Sequence, residues 1–182
     1  MVVNGATIGL GGGQSTTNMA IGPYALSSNS AGIVNIAIGS FALSSNTTAN
    51  FNTAIGANSL RVNSTGASNT AIGGLTLAQN TIGSNNIAFG PSALGQNTTG
   101  YSNIANGVSA LTLNTTGSGN VAIGHEALYA ASTISFQTAI GYQALRNSTT
   151  GTQNLGLGYS AGSAITTGSN NIALGYNAQV PS

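Results

Sequence analysis

Two basic residues, Arg61 and Arg146, one acidic residue, Glu126, and one histidine, His125, make up the whole charge chemistry of this 182-residue sequence. General acid–base catalysis needs a paired acid and base within reach of a substrate, or an activated nucleophile. His125 and Glu126 are the only candidates. As neighbours in one loop their side chains diverge, and no second carboxylate exists to complete a dyad. The expectation is a solvated loop variant and no enzyme. The glycine-rich run Gly9-Leu10-Gly11-Gly12-Gly13-Gln14-Ser15-Thr16 lacks the lysine of a phosphate loop, and Gln14 stands where a dinucleotide fingerprint requires glycine. With no cysteine there is no disulfide framework, thiolate metal site or covalent haem attachment. No cofactor and no metal is expected.

Binding chemistry has further candidates. Tyr142, Tyr159 and Tyr176 recur at one spacing and would stack into an aromatic stripe, able to hold a glycan or a partner subunit or simply to pack as a ladder. Asn46, Asn63, Asn97, Asn114 and Asn147 open N-x-S/T sequons, and turn chemistry accounts for them without sugar. Thr48, Thr65, Thr99, Thr116, Thr133, Thr150 and Thr167 form a column that, on a flat face, would order water as an ice-binding array does. Nucleic acid is excluded as a partner because two arginines cannot form the basic patch that displaces counterions. No apolar run reaches the ~18 residues of a spanning helix, so no membrane insertion is expected.

These spacings belong to a repeat. Asn18, Asn35, Asn52, Asn69, Asn86, Asn103, Asn120, Gln137, Asn154 and Asn171 each open a unit, 17 residues apart without insertion or deletion. The consensus reads N-x-A-I-G-x-x-A-L-x-x-N-T-T-G-x-x. The fourth position supplies Ile21, Ile38, Ile55, Ile72, Phe89, Asn106, Ile123, Ile140, Leu157 and Leu174. The ninth supplies Leu26, Leu43, Leu60, Leu77, Leu94, Leu111, Leu128 and Leu145. These two apolar columns are the expected core, with Asn106 as a buried amide among isoleucines. Glycine fills the fifth position from Gly22 to Gly175, which predicts a corner of positive φ or close backbone approach. Asn-Thr-Thr-Gly marks a second corner.

A 17-residue unit cannot bury an apolar face alone, and its short x-A-I-G and x-A-L segments read as strands. The chain is therefore expected to be all-β, a parallel β-solenoid in which each coil stacks on the last. The division is an irregular N-terminal coil or end interface over residues 1–17, then ten repeats over 18–182, the last incomplete. Stacked asparagines would hydrogen-bond along the axis.

Asn120-Val121-Ala122-Ile123-Gly124 and Asn52-Thr53-Ala54-Ile55-Gly56 resemble the N-S-V-A-I-G units in the heads of trimeric autotransporter adhesins. The string Gln137-Thr138-Ala139-Ile140-Gly141-Tyr142-Gln143-Ala144-Leu145, followed by Thr149-Thr150-Gly151, is similar to repeats of phage tail fibres. The resemblance covers residues 18 to about 178 and implies a left-handed parallel β-roll, a homotrimer and a place on a cell or virion surface.

The function expected is accordingly structural: a fibre protein, extracellular or on a virion, that self-assembles. Its partner would be itself, head to tail through open solenoid ends marked by Ile8, Ile172, Leu174 and Tyr176, or as a homotrimer. Near-zero net charge removes the repulsion that would oppose association. Two other readings stand beside it, an adhesin binding a glycan or host receptor through its side and an ice-binding solenoid. No basic n-region or apolar h-region opens the chain, so either a signal has been removed or the protein reaches the outside by another route, such as assembly into a virus particle.

Overall fold

The structure, a computed structural model, describes residues 2–3, 6–9 and 17–180. The glycine-rich residues 10–16 lie outside these, as does the Ile8 side chain. No helix occurs among the described residues. Two short strands, β1 (Val2–Val3) and β2 (Ala6–Gly9), precede ten three-residue strands, one per repeat: β3 (Met19–Ile21), β4 (Ile36–Ile38), β5 (Thr53–Ile55), β6 (Thr70–Ile72), β7 (Ile87–Phe89), β8 (Ile104–Asn106), β9 (Val121–Ile123), β10 (Thr138–Ile140), β11 (Leu155–Leu157) and β12 (Ile172–Leu174). Strands β3 to β12 pair in parallel, each residue opposite the one 17 positions on. The fold is a β-solenoid, and at ~4.8 Å per strand it is a rod on the order of 45 Å long.

Pairing between coils continues outside the sheet. Leu43 N donates to Ser59 O at 3.0 Å, Phe41 N to Pro23 O at 2.9 Å and Thr47 N to Ser64 O at 3.1 Å, so each side of a coil is tied to a neighbour. The glycine corner is required by this stacking. Gly39 has φ +129°, and a methyl there would sit 2.6 Å from the Gly56 carbonyl oxygen of the next coil. The eight leucines of the ninth position also lie in the left-handed region, at φ 48–53°. That conformation costs a leucine roughly 1–2 kcal/mol. Complete burial of the side chain, about 1.5–3 kcal/mol, offsets it.

The core differs from the sequence expectation in one column. Leu26, Leu43, Leu60, Leu77, Leu94, Leu128 and Leu145 are fully buried. The fourth-position residues face outward: Ile21, Ile38, Ile55, Ile72 and Ile140 are half-buried, and Phe89 and Ile123 are 37% exposed. The reason is strand alternation. The third-position alanine occupies the centre of the strand and points inward, as Ala37, Ala54 and Ala88 do at 0% exposure, which turns both neighbours out. A coil of 17 residues already fills its interior with one leucine, two small residues and two amides. Asn106 shares the outward column and is exposed, so it carries no burial cost.

Polar groups complete the interior. Asn63 Nδ2 donates to Asn46 Oδ1 at 3.2 Å and to Gly66 O at 2.9 Å. Asn52, from the repeat-opening column, donates to the same Gly66 carbonyl at 2.9 Å, and its Oδ1 accepts the Asn69 N–H at 2.9 Å. Both lone pairs of that carbonyl are used, and the pattern recurs at Gly83 and Gly100. This buried spine has three orphan atoms, Asn114 Oδ1, Gln137 Oε1 and Ser148 Oγ. The first arises because Ala131 stands where the next asparagine donor would be.

Candidate functional site

His125, Glu126 and Arg146 lie on two successive coils, whereas Arg61 lies four coils before Glu126. The Glu126 carboxylate accepts hydrogen bonds from Arg146 Nε and Gln143 Nε2, both at 2.7 Å. These two donors hold its pKa below the usual carboxylate value. His125 turns the other way and stacks on Tyr142, ring centroids 5.1 Å apart. The Arg146 guanidinium lies 5.2 Å from the Tyr129 ring centre. Glu126 and Arg146 are thus engaged with each other across neighbouring coils, and no three His, Cys, Asp or Glu side chains converge to hold a metal among the described residues.

The tyrosine column forms one continuous ladder. Tyr142–Tyr159 and Tyr159–Tyr176 stack at 5.1 Å, with ring planes 6° and 16° apart, and His125 extends the series. Sequence reasoning did not include His125, although it occupies the same repeat position as the tyrosines. Stacking consumes the ring faces. Within this ladder, a sugar that packs on a tyrosine face finds the outer face of Tyr176, which is 81% exposed. Ile172 and Leu174, at 64% and 59%, stand exposed on the same last coil. At the opposite end β2 pairs antiparallel with β3, Ile8 opposite Ile21, so the outer edge of the first solenoid strand is occupied.

Sequons Asn46, Asn63, Asn97 and Asn114 are fully buried in the spine, which closes them to modification in the folded state. Asn147 is exposed, and its Nδ2 donates to Ser163 O at 2.9 Å. The threonines at 48, 65, 99, 116, 133, 150 and 167 are exposed, but as a single rank interrupted by Ile82. The hydroxyls beside them are already spent: Thr47, Thr98 and Thr115 donate to carbonyls of the next coil at 3.1, 2.9 and 3.0 Å. A hollow lined by Thr133, Ile134, Ser135, Phe136, Thr150, Thr152 and Gln153 holds no titratable group.

The outer face of the sheet forms a continuous surface along the ten repeat strands. Second- and fourth-position side chains of β3 to β12 form two parallel ranks, mostly Ile, Leu, Val, Met and Thr, with Phe89 and Asn106 interposed. No charged residue interrupts them. Sequence reasoning missed this face because it assigned the fourth-position column to the core. No helix among the described residues is long and apolar enough to cross a membrane. Compared with known protein families, characterised proteins and solved structures, the chain matches none.

Proposed function

We propose that this chain is a non-enzymatic structural rod, a segment of an extracellular or virion-surface fibre. The observation that carries the reading is the unbroken stack of ten parallel strands in a single 17-residue register, pinned internally by hydrogen-bonded asparagine columns. A one-residue slip between coils would expose the leucines and break the amide ladder together, so the register is strongly specified. Such a molecule holds shape along its axis through backbone pairing, which suits a load-bearing element. The engaged state of His125, Glu126 and Arg146 supports a non-catalytic role.

Self-association is the mechanism of assembly in this reading. Growth by strand pairing at the β3 end proceeds through the β1–β2 hairpin, because β2 holds the β3 edge. The test is immunogold electron microscopy with antibody to this chain, on producing cells and on any particles they release. Label on surface filaments or particle fibres is expected. Label confined to the cell interior overturns the proposal.

A further inference from the structure

We propose that the rod carries a built-in hinge between the coil of residues 120–136 and the coil of residues 137–153, wedged apart on one side by Ile134 and held on the other by the Glu126 clasp. The inference concerns the mechanics of the rod and goes beyond the fibre reading.

The thirteenth repeat position ties coils together along the Asn-Thr corner. At the junction before this one, Ser132 O accepts from Thr115 N at 2.7 Å, Thr115 Oγ1 at 3.0 Å and Thr116 N at 3.5 Å. At the junction after it, Thr166 O accepts from Thr149 N at 2.7 Å, Thr149 Oγ1 at 3.1 Å and Thr150 N at 3.3 Å. Between them Thr149 O accepts from none of the corresponding donors, Ser132 N, Ser132 Oγ and Thr133 N. Gln153 N likewise does not reach Ser135 O, although Phe136 N reaches Ser118 O at 3.1 Å one coil earlier and Asn170 N reaches Thr152 O at 3.0 Å one coil later. Residues 131–136 therefore send no hydrogen bond to the next coil. The hollow of about 490 Å³ opens at this seam, with Thr133 and Phe136 on one lip and Thr150 and Gln153 on the other.

Ile134 supplies the cause. Its repeat position is glycine at Gly83, Gly100, Gly117 and Gly151. A Cβ at Gly83 or Gly100 would run into the glycine carbonyl oxygen of the next coil and lie 2.5 Å from the asparagine Oδ1 of its own coil. The stack absorbs the single methyl of Ala49, since Thr47 N still reaches Ser64 O at 3.1 Å. Isoleucine adds three further carbons, and Ile134 is buried. Ala131, standing where the asparagine would be, clears room within its own coil. Only separation from Gly151 clears the next.

The opposite side of the same junction is held. β9 pairs with β10, Gln143 N donates to His125 O at 2.8 Å and Leu128 N to Ala144 O at 3.1 Å. The ion pair of Glu126 with Arg146 spans these two coils, as do the Gln143–Glu126 hydrogen bond and the His125–Tyr142 stack. Local opening concentrates where backbone bonding is sparse. A junction bonded along one edge and unbonded along the other rotates about the bonded edge, and the hollow widens or closes without a hydrogen bond being broken.

Amide hydrogen exchange of the full chain, read by NMR, tests the seam without mutation. Ser132, Thr133 and Gln153 should exchange at least ~10-fold faster than their counterparts Thr115, Thr116 and Phe136; equal protection overturns the open seam. Rotation is read by double electron–electron resonance, because a chain without cysteine accepts spin labels at chosen sites. Ile82→Cys with Thr167→Cys spans five coils including the junction, and Ala31→Cys with Thr116→Cys spans five coils before it, each ~24 Å along the axis. With labelled chain diluted in unlabelled chain, the first pair should give the broader distance distribution, and coincident widths overturn the hinge. Ala131→Asn with Ile134→Gly should slow exchange at Ser132 and narrow the first pair to the width of the second. A seam that stays open in this variant, once circular dichroism has verified its folding, overturns Ile134 as the wedge.

Discussion

Asn80→Asp is the sharpest probe of the buried amide spine. Asn80 Nδ2 donates to Asn63 Oδ1 at 2.7 Å and to Gly83 O at 2.9 Å, while its Oδ1 accepts from Asn97 Nδ2 at 2.7 Å. The residue is fully buried. Replacing the NH2 by oxygen sets an acceptor against two acceptors, and only a protonated carboxyl relieves one of the clashes by donating. Arg61, on the preceding coil, is half-buried and takes no part in the Asn80 hydrogen bonds, which run to Asn63, Gly83 and Asn97. Burial without a partner raises a carboxyl pKa by about 3 units or more, and at 1.36 kcal/mol per unit this is a loss of about 4 kcal/mol at pH 7. The folded pKa is raised, so the ionisation part of the destabilisation vanishes below the unfolded value of ~3.9, leaving only the remaining clash, and grows by ~1.4 kcal/mol per pH unit above it, until the folded pKa is passed. Asn80→Ala removes the same hydrogen bonds without a charge and should lose about 2–4 kcal/mol at every pH. Urea unfolding followed by far-UV circular dichroism, from pH 3 to 8, compares both variants with the parent chain. An Asn80→Asp profile parallel to that of Asn80→Ala across this range would refute a dry, donor-dependent spine.

Four further outcomes are expected. Leu94→Ala should lose about 2–5 kcal/mol, whereas Ile72→Ala, on the outward face, should lose under about 1 kcal/mol in the dissociated chain; equal losses by urea unfolding would return the isoleucine column to the core. Gly39→Ala forces a left-handed alanine into the Gly56 carbonyl and should lower the thermal midpoint more than Gly74→Ala, whose methyl would meet only the Ala57 oxygen at 3.9 Å. Ala131→Asn with Ile134→Gly should recover a donor for the orphan Asn114 Oδ1, and a double-mutant cycle should show favourable coupling above about 0.5 kcal/mol. Glu126 has a lowered pKa, so its pairing with Arg146 and Gln143 stabilises above the unfolded carboxylate pKa and is lost as pH falls through the folded value. Glu126→Gln should flatten that small acid limb in a pH series of unfolding midpoints, and a limb that persists unchanged would assign it elsewhere.

The 17-residue period, the parallel stacking, the glycine corner and the leucine column were legible in the sequence, because a one-dimensional repeat writes each structural position as a column of residue types. The aromatic ladder was legible for the same reason, apart from His125, whose residue type differs from the tyrosines although its position does not. Tertiary structure decided which apolar column is inside. An N-x-A-I-G segment has apolar residues on both sides of its alanine, and alternation allows either parity; the narrow interior accepts the alanine and excludes isoleucine. It also decided the fate of the asparagines. Turn propensity places them at a corner but does not say that both columns point inward and share one carbonyl, because that geometry exists only once the next coil has arrived. Column identity is therefore a property of the sequence, and the side each column faces is a property of the closed coil.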